Sequence, residues 1–91
     1  MYEIRRVSSR VDRELDALTA QDYERIVPAI DALASEPRPQ GCLKLEDDIY
    51  RVRVGRFRIF YQVDDAAQQV LIGAVRSRNE ATYRRVSDLF G

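Results

Sequence analysis

Arg51, Arg53 and Arg58 interrupt a stretch that otherwise reads as core, Ile49 to Val63, IYRVRVGRFRIFYQV. Residues alternate faces along a strand, so Tyr50, Val52 and Val54 share one face while Arg51 and Arg53 share the other. If Gly55-Arg56 closes the hairpin as a type II′ turn, Val54 lies opposite Phe57, Arg53 opposite Arg58 and Val52 opposite Ile59. Tyr50, Val52, Val54, Phe57, Ile59 and Tyr61 then form a core face, and the three arginines occupy the reverse. Like charges directly opposite each other destabilise a sheet. An anion that received them would offset that cost, and phosphate, which matches the guanidinium fork, is the leading candidate. The plainer reading is a solvated face paired with Glu46, Asp47 and Asp48.

The rest of the composition narrows the chemistry. There is no histidine and Cys42 is the single cysteine, which excludes Ser-His-Asp and Cys-His machinery, a histidine metal ligand and an internal disulfide. Gly41, Gly55, Gly73 and Gly91 are isolated, so no phosphate-binding glycine loop is present. Any catalysis falls to Arg, Lys, Tyr or carboxylates, and neither a metal nor a cofactor is expected. Cys42 reads as a small apolar residue, and Lys44, the only lysine, as a surface side chain.

The elements that would position the arginines follow from periodicity. Tyr2–Val7 reads as a short strand. Val11, Leu15 and Leu18 fall at i, i+4 and i+7 of a helix over Ser9–Leu18. Thr19 and Asp22 offer cap chemistry for a second helix whose apolar face carries Ile26, Val27, Ile30, Leu33 and Ala34. Pro28 lies inside it, with a kink expected there, and Pro37 and Pro39 follow as stops. Gln40–Asp48 is a connector, Asp64-Asp65-Ala66 a turn, Gln69–Val75 a further strand, and a last helix starts near Asn79 with Tyr83, Val86 and Phe90 on one side. The order β-α-α-β-β-β-α predicts an α+β fold: a helical hairpin packed on the apolar face of a small antiparallel sheet, with the arginine face open.

Ninety-one residues at 45% hydrophobic and 33% charged content fit one small globular domain over 1–91. No apolar run reaches the length of a membrane span and the amino terminus lacks a signal-peptide stretch, so the cytoplasm is the expected compartment. Formal net charge is zero, unlike many nucleic-acid binders, but the charge is segregated. Between Asp12 and Glu36 the acids Asp12, Glu14, Asp16, Asp22, Glu24, Asp31 and Glu36 face only Arg13 and Arg25, whereas arginines gather at 51–58 and 76–85.

Together, the two amino-terminal helices, the EPRPQGCLKL connector, the YRVRVGRFRIFYQVDD hairpin and the RSRNEATYRR segment resemble the RelE/ParE superfamily of bacterial toxins. The resemblance covers essentially the whole chain. Its RelE branch implies ribosome-dependent cleavage of mRNA in the A site, by attack of a ribose 2′-OH on the adjacent phosphate, without histidine. It implies Arg51 and Arg53 at the two basic positions of the first hairpin strand and Arg58 at the arginine of the second. Either Arg76 or Arg78 matches the arginine after the last strand, and Tyr83 the terminal tyrosine. Arginine stands where the family often has lysine at Arg51 and Arg53; it stabilises phosphorane charge but is a poor proton donor. Tyr83, with an ordinary pKa near ~10, is the better candidate for proton transfer or base stacking. The implied partners are a cognate antitoxin in a hetero-oligomer, the ribosome and mRNA. A gyrase-directed toxin of the ParE type and a non-enzymatic binding module are the alternatives.

Overall fold

The computed structural model describes residues 1–79 and 85–91. β1 (Glu3–Arg6) leads into α1 (Ser9–Asp16) and α2 (Ala20–Ala32), then β2 (Leu43–Glu46), β3 (Ile49–Val54), β4 (Phe57–Asp64), β5 (Gln69–Ser77) and a 3-10 helix (Val86–Phe90). Each α-helix begins on a hydroxyl cap. Ser8 Oγ accepts from the Arg10 N–H at 3.3 Å and Thr19 Oγ1 from the Asp22 N–H at 3.1 Å, satisfying donors the first turn leaves unpaired. α2 runs through the exposed Pro28 and ends at Ala32, before Pro37.

The five strands form one sheet in the order β1-β5-β4-β3-β2. The expected α+β class and the hairpin register hold: Val54 pairs Phe57, Arg53 pairs Arg58 and Val52 pairs Ile59. Gly55 at the turn has φ +60°, as a type II′ turn requires at its first central position. Two features go beyond the sequence expectation. The sheet is mixed, because β1 runs parallel to β5, and the Gln40–Asp48 connector contributes the edge strand β2. Local pattern cannot specify a pairing between segments more than sixty residues apart.

The core lies between the helices and one sheet face. Val11 and Leu15 of α1, with Ile26 and Ile30 of α2 and the Leu33 that follows, bury against Tyr50, Phe57, Ile59, Tyr61, Val63, Val70, Ile72 and Val75. Each fully buried apolar side chain of this kind contributes about 1.5–3 kcal/mol. The reverse face is only partly open, contrary to expectation. Val86 and Leu89 pack there on Ile49, Phe60 and Ala74, with Leu45 and Phe90 beside them. Of the segment expected as a helix from Asn79, the described residues form a turn at Asn79 and a 3-10 helix at Val86–Phe90; the rest, with Tyr83, lies outside the described residues.

Gly73 makes this second cluster possible. Phe60 pairs Ala74 while Tyr61 pairs Ile72, so Gly73 is an extra residue on β5. Such a bulge shifts the alternation of everything after it. Ala74 and Arg76 consequently share a face opposite to that of Val70 and Ile72. A Cβ at Gly73 would run into the Phe90 ring.

Candidate functional site: an arginine cluster at the hairpin turn

The ladder sets three arginines side by side across three strands. Arg53 of β3 pairs Arg58 of β4, and Arg58 pairs Arg76 of β5. Arg78 joins them from beyond the strand end, because its backbone N–H donates to the Arg56 carbonyl at 3.0 Å and holds it beside the hairpin turn. Arg53, Gly55, Arg56, Arg58 and Arg78 line one concavity of about 170 Å³. Arg53 and Arg78 are exposed and Arg58 is half-buried. Among the described residues, no carboxylate forms an ion pair with Arg53, Arg58 or Arg78.

The remaining candidates are placed differently. Arg51 is half-buried and pairs Phe60, one step further from the turn and outside the lining of the concavity. Arg76 is buried at 8% exposure, and its Nε donates to Glu14 Oε2 of α1 at 2.9 Å. The same carboxylate accepts from Arg10 at 2.9 Å through Oε2 and from the Val75 N–H at 2.9 Å through Oε1. Glu14 thus covers the β5 edge where β1 has ended and offsets the innermost charge of the row. Arg10 also donates to the carbonyls of Gly73 and Leu89 at 2.8 and 3.1 Å, tying α1 to the bulge and to the 3-10 helix.

Tyr50 and Tyr61 belong to the core, as their face predicted. Their rings stack at 5.8 Å between centroids. The Tyr61 hydroxyl donates to the Pro37 carbonyl at 2.7 Å, and burial pushes its pKa well above the ordinary phenol range. Arg38 donates to the Tyr50 hydroxyl at 2.9 Å and reaches Asp65 through both terminal nitrogens. Lys44 is exposed, on β2 rather than in a loop.

From sequence alone Arg56 reads as a turn residue and Glu14 as part of an acidic helix. The i, i+4 spacing of Arg10 and Glu14 was a visible signal for their mutual pair. The tie from Glu14 to Arg76 needed the fold. Chemically, the described lining of the concavity presents planar guanidinium donors. It can hold a phosphodiester and stabilise added charge on it, but a proton carrier has to come from elsewhere. Among the described residues no cluster of carboxylates and cysteine could hold a metal ion.

A family profile described as the ParE toxin of the type II toxin-antitoxin system, parDE, matches residues 5–82. The chain belongs to this toxin family. It lies within the RelE/ParE superfamily that the hairpin and connector resemble. A Methanocaldococcus jannaschii protein assigned as toxin RelE1 is 32% identical over 85 residues, covering 86% of this chain and 91% of the relative. The toxin is also similar to the archaeal RelE-RelB complex of Pyrococcus horikoshii, with a TM-score of 0.74 and 26% identity over 88% of this chain and 98% of that one. The toxin-antitoxin complex RelBE2 of Mycobacterium tuberculosis gives a TM-score of 0.73 at 25% identity, over 85% of this chain and 98% of that one. The protein is a RelE-like toxin of a type II toxin-antitoxin system.

Proposed function

We propose that this toxin is an endoribonuclease that cuts mRNA in the ribosomal A site. The observation that carries the reading is the convergence of Arg53, Arg58 and Arg78 on one concavity. In this reading the cluster grips the scissile phosphate and stabilises the charge that builds up as the neighbouring 2′-OH attacks. The products are a 2′,3′-cyclic phosphate and a free 5′-OH. Arg51, further along the same face, supports the strand from the side. Of Arg76, near the end of β5, and Arg78, just beyond it, Arg78 is the one assigned to phosphate, because Arg76 is held by Glu14. Tyr83 is assigned proton transfer, for which the arginines are poor donors, or base stacking.

A cognate antitoxin is the proposed partner in the resting state, in keeping with the solved complexes of the relatives. The ParE family match favours a second reading, in which the same fold acts on gyrase without cutting RNA. Induced expression of the chain without an antitoxin, beside its Arg58→Ala variant, separates the two. Growth arrest with message loss that disappears in the folded Arg58→Ala protein supports the nuclease. Arrest with DNA breaks and continued translation supports the gyrase reading.

A further inference from the structure

The basic surface does not stop at the concavity. Arg56 forms one wall of it and also one wall of a second hollow of about 370 Å³, lined by Thr19, Gln21, Asp22 and Arg25 of the α2 start. Arg25 reaches over the hairpin turn, since a Cβ at Gly55 would stand 3.0 Å from its NH1. The Arg56 guanidinium lies 5.2 Å from the Phe57 ring centroid, and its NH2 donates to Asp22 Oδ2 at 3.2 Å. Asp22 is 15% exposed in this pair and Arg56 66% exposed. Arg56 is therefore held at the crest between the two hollows. Its Cα is about 7 Å of extended chain from that of Arg58.

We propose that Arg25 and Arg56 form a second phosphate position, which takes the backbone of single-stranded RNA as it leaves the Arg53–Arg58–Arg78 cluster and turns over the hairpin. This rests on the nuclease reading and extends it from the scissile phosphate to a flanking one. Two guanidinium groups against one carboxylate leave a net positive charge in the second hollow. The exposed side of Arg56 can reach an incoming phosphate, and Asp22 competes with that phosphate for the same donors. Asp22 thereby sets how tightly the flanking position holds RNA.

The test is the salt dependence of binding of a fluorescently labelled single-stranded RNA octamer to the full chain. Each phosphate contact on a single strand contributes about 0.7 to the slope of log affinity against log salt. The Arg25→Ala/Arg56→Ala variant is expected to bind more weakly, with a slope shallower by about 0.7, the loss of one phosphate contact. Asp22→Asn is expected to bind more tightly than wild type. Glu24→Gln, two residues along and on another side of the helix, is expected to leave binding unchanged. Equal slopes for wild type and the Arg25/Arg56 variant, in a protein whose Arg58→Ala variant loses binding, overturn the second position and leave the nuclease reading standing. A matching gain from Glu24→Gln overturns the role given to Asp22. RNA binding that is absent from wild type, or untouched by Arg58→Ala, overturns both the second position and the nuclease reading. Thermal melting of each variant confirms that the fold is retained.

Discussion

Arg58 and Arg76 are paired across β4 and β5, yet their surroundings assign them different work. Arg58 opens onto the concavity, whereas Arg76 is buried against Glu14. Substituting Arg58 by alanine is expected to lower RNA cleavage by about 100-fold or more, the loss typical of a missing charge-stabilising donor, with the melting temperature unchanged. Arg76→Ala is expected to show the opposite balance. It takes a charged hydrogen-bond donor from the shielded Glu14 carboxylate and should cost about 2 kcal/mol in urea unfolding. The alternation in IYRVRVGRFRIFYQV makes Arg51, Arg53 and Arg58 legible as a set from the residues alone. The choice between Arg76 and Arg78 is not legible there, because it turns on a carboxylate sixty-two residues away and on a backbone bond from Arg78 to Arg56.

At the scale of elements, the hairpin is the most readable part, since Gly55 fixes its turn and the turn fixes the register. β2 escapes a reading by pattern although Leu43-Lys44-Leu45-Glu46 alternates, because the nearby prolines and Asp47-Asp48 mark the segment as a loop. The parallel β1–β5 pair and the docking of the 3-10 helix arise from tertiary contacts that no local pattern carries. The bulge at Gly73 is the joint between them. Gly73→Ala is expected to force the Phe90 ring away and cost about 1–3 kcal/mol, as overpacking does. Combining it with Phe90→Ala should recover part of that loss in a double-mutant cycle of urea unfolding, whereas additive losses would deny the contact.

Across the whole molecule, the net charge of zero conceals an acidic helical layer and a basic hairpin end, and a binding argument from net charge alone would miss this division. On the far side of the core a polar strap closes the sheet. Arg38 joins Asp65 and Tyr50, and the Tyr2 hydroxyl also donates to Asp65. The Arg38 hydrogen bond, followed by that from Tyr2, holds the Asp65 carboxyl below the usual carboxylate range. A depressed native pKa adds stability that is present above the unfolded value of about 3.9 and is lost as pH falls through the native one. Asp65→Asn is therefore expected to flatten the acid limb of a stability–pH curve while lowering stability at neutral pH. Tyr61 acts at the other end, because its raised pKa makes native stability fall once pH exceeds about 10. The central claim is that the arginine cluster cuts messages held in ribosomes, and the direct measurement is primer extension on a defined mRNA mixed with the purified chain and programmed ribosomes. The account predicts new 5′ ends within the A-site codon, absent without ribosomes and absent with Arg58→Ala. Intact message with active wild-type protein, or cuts that survive Arg58→Ala, would contradict it.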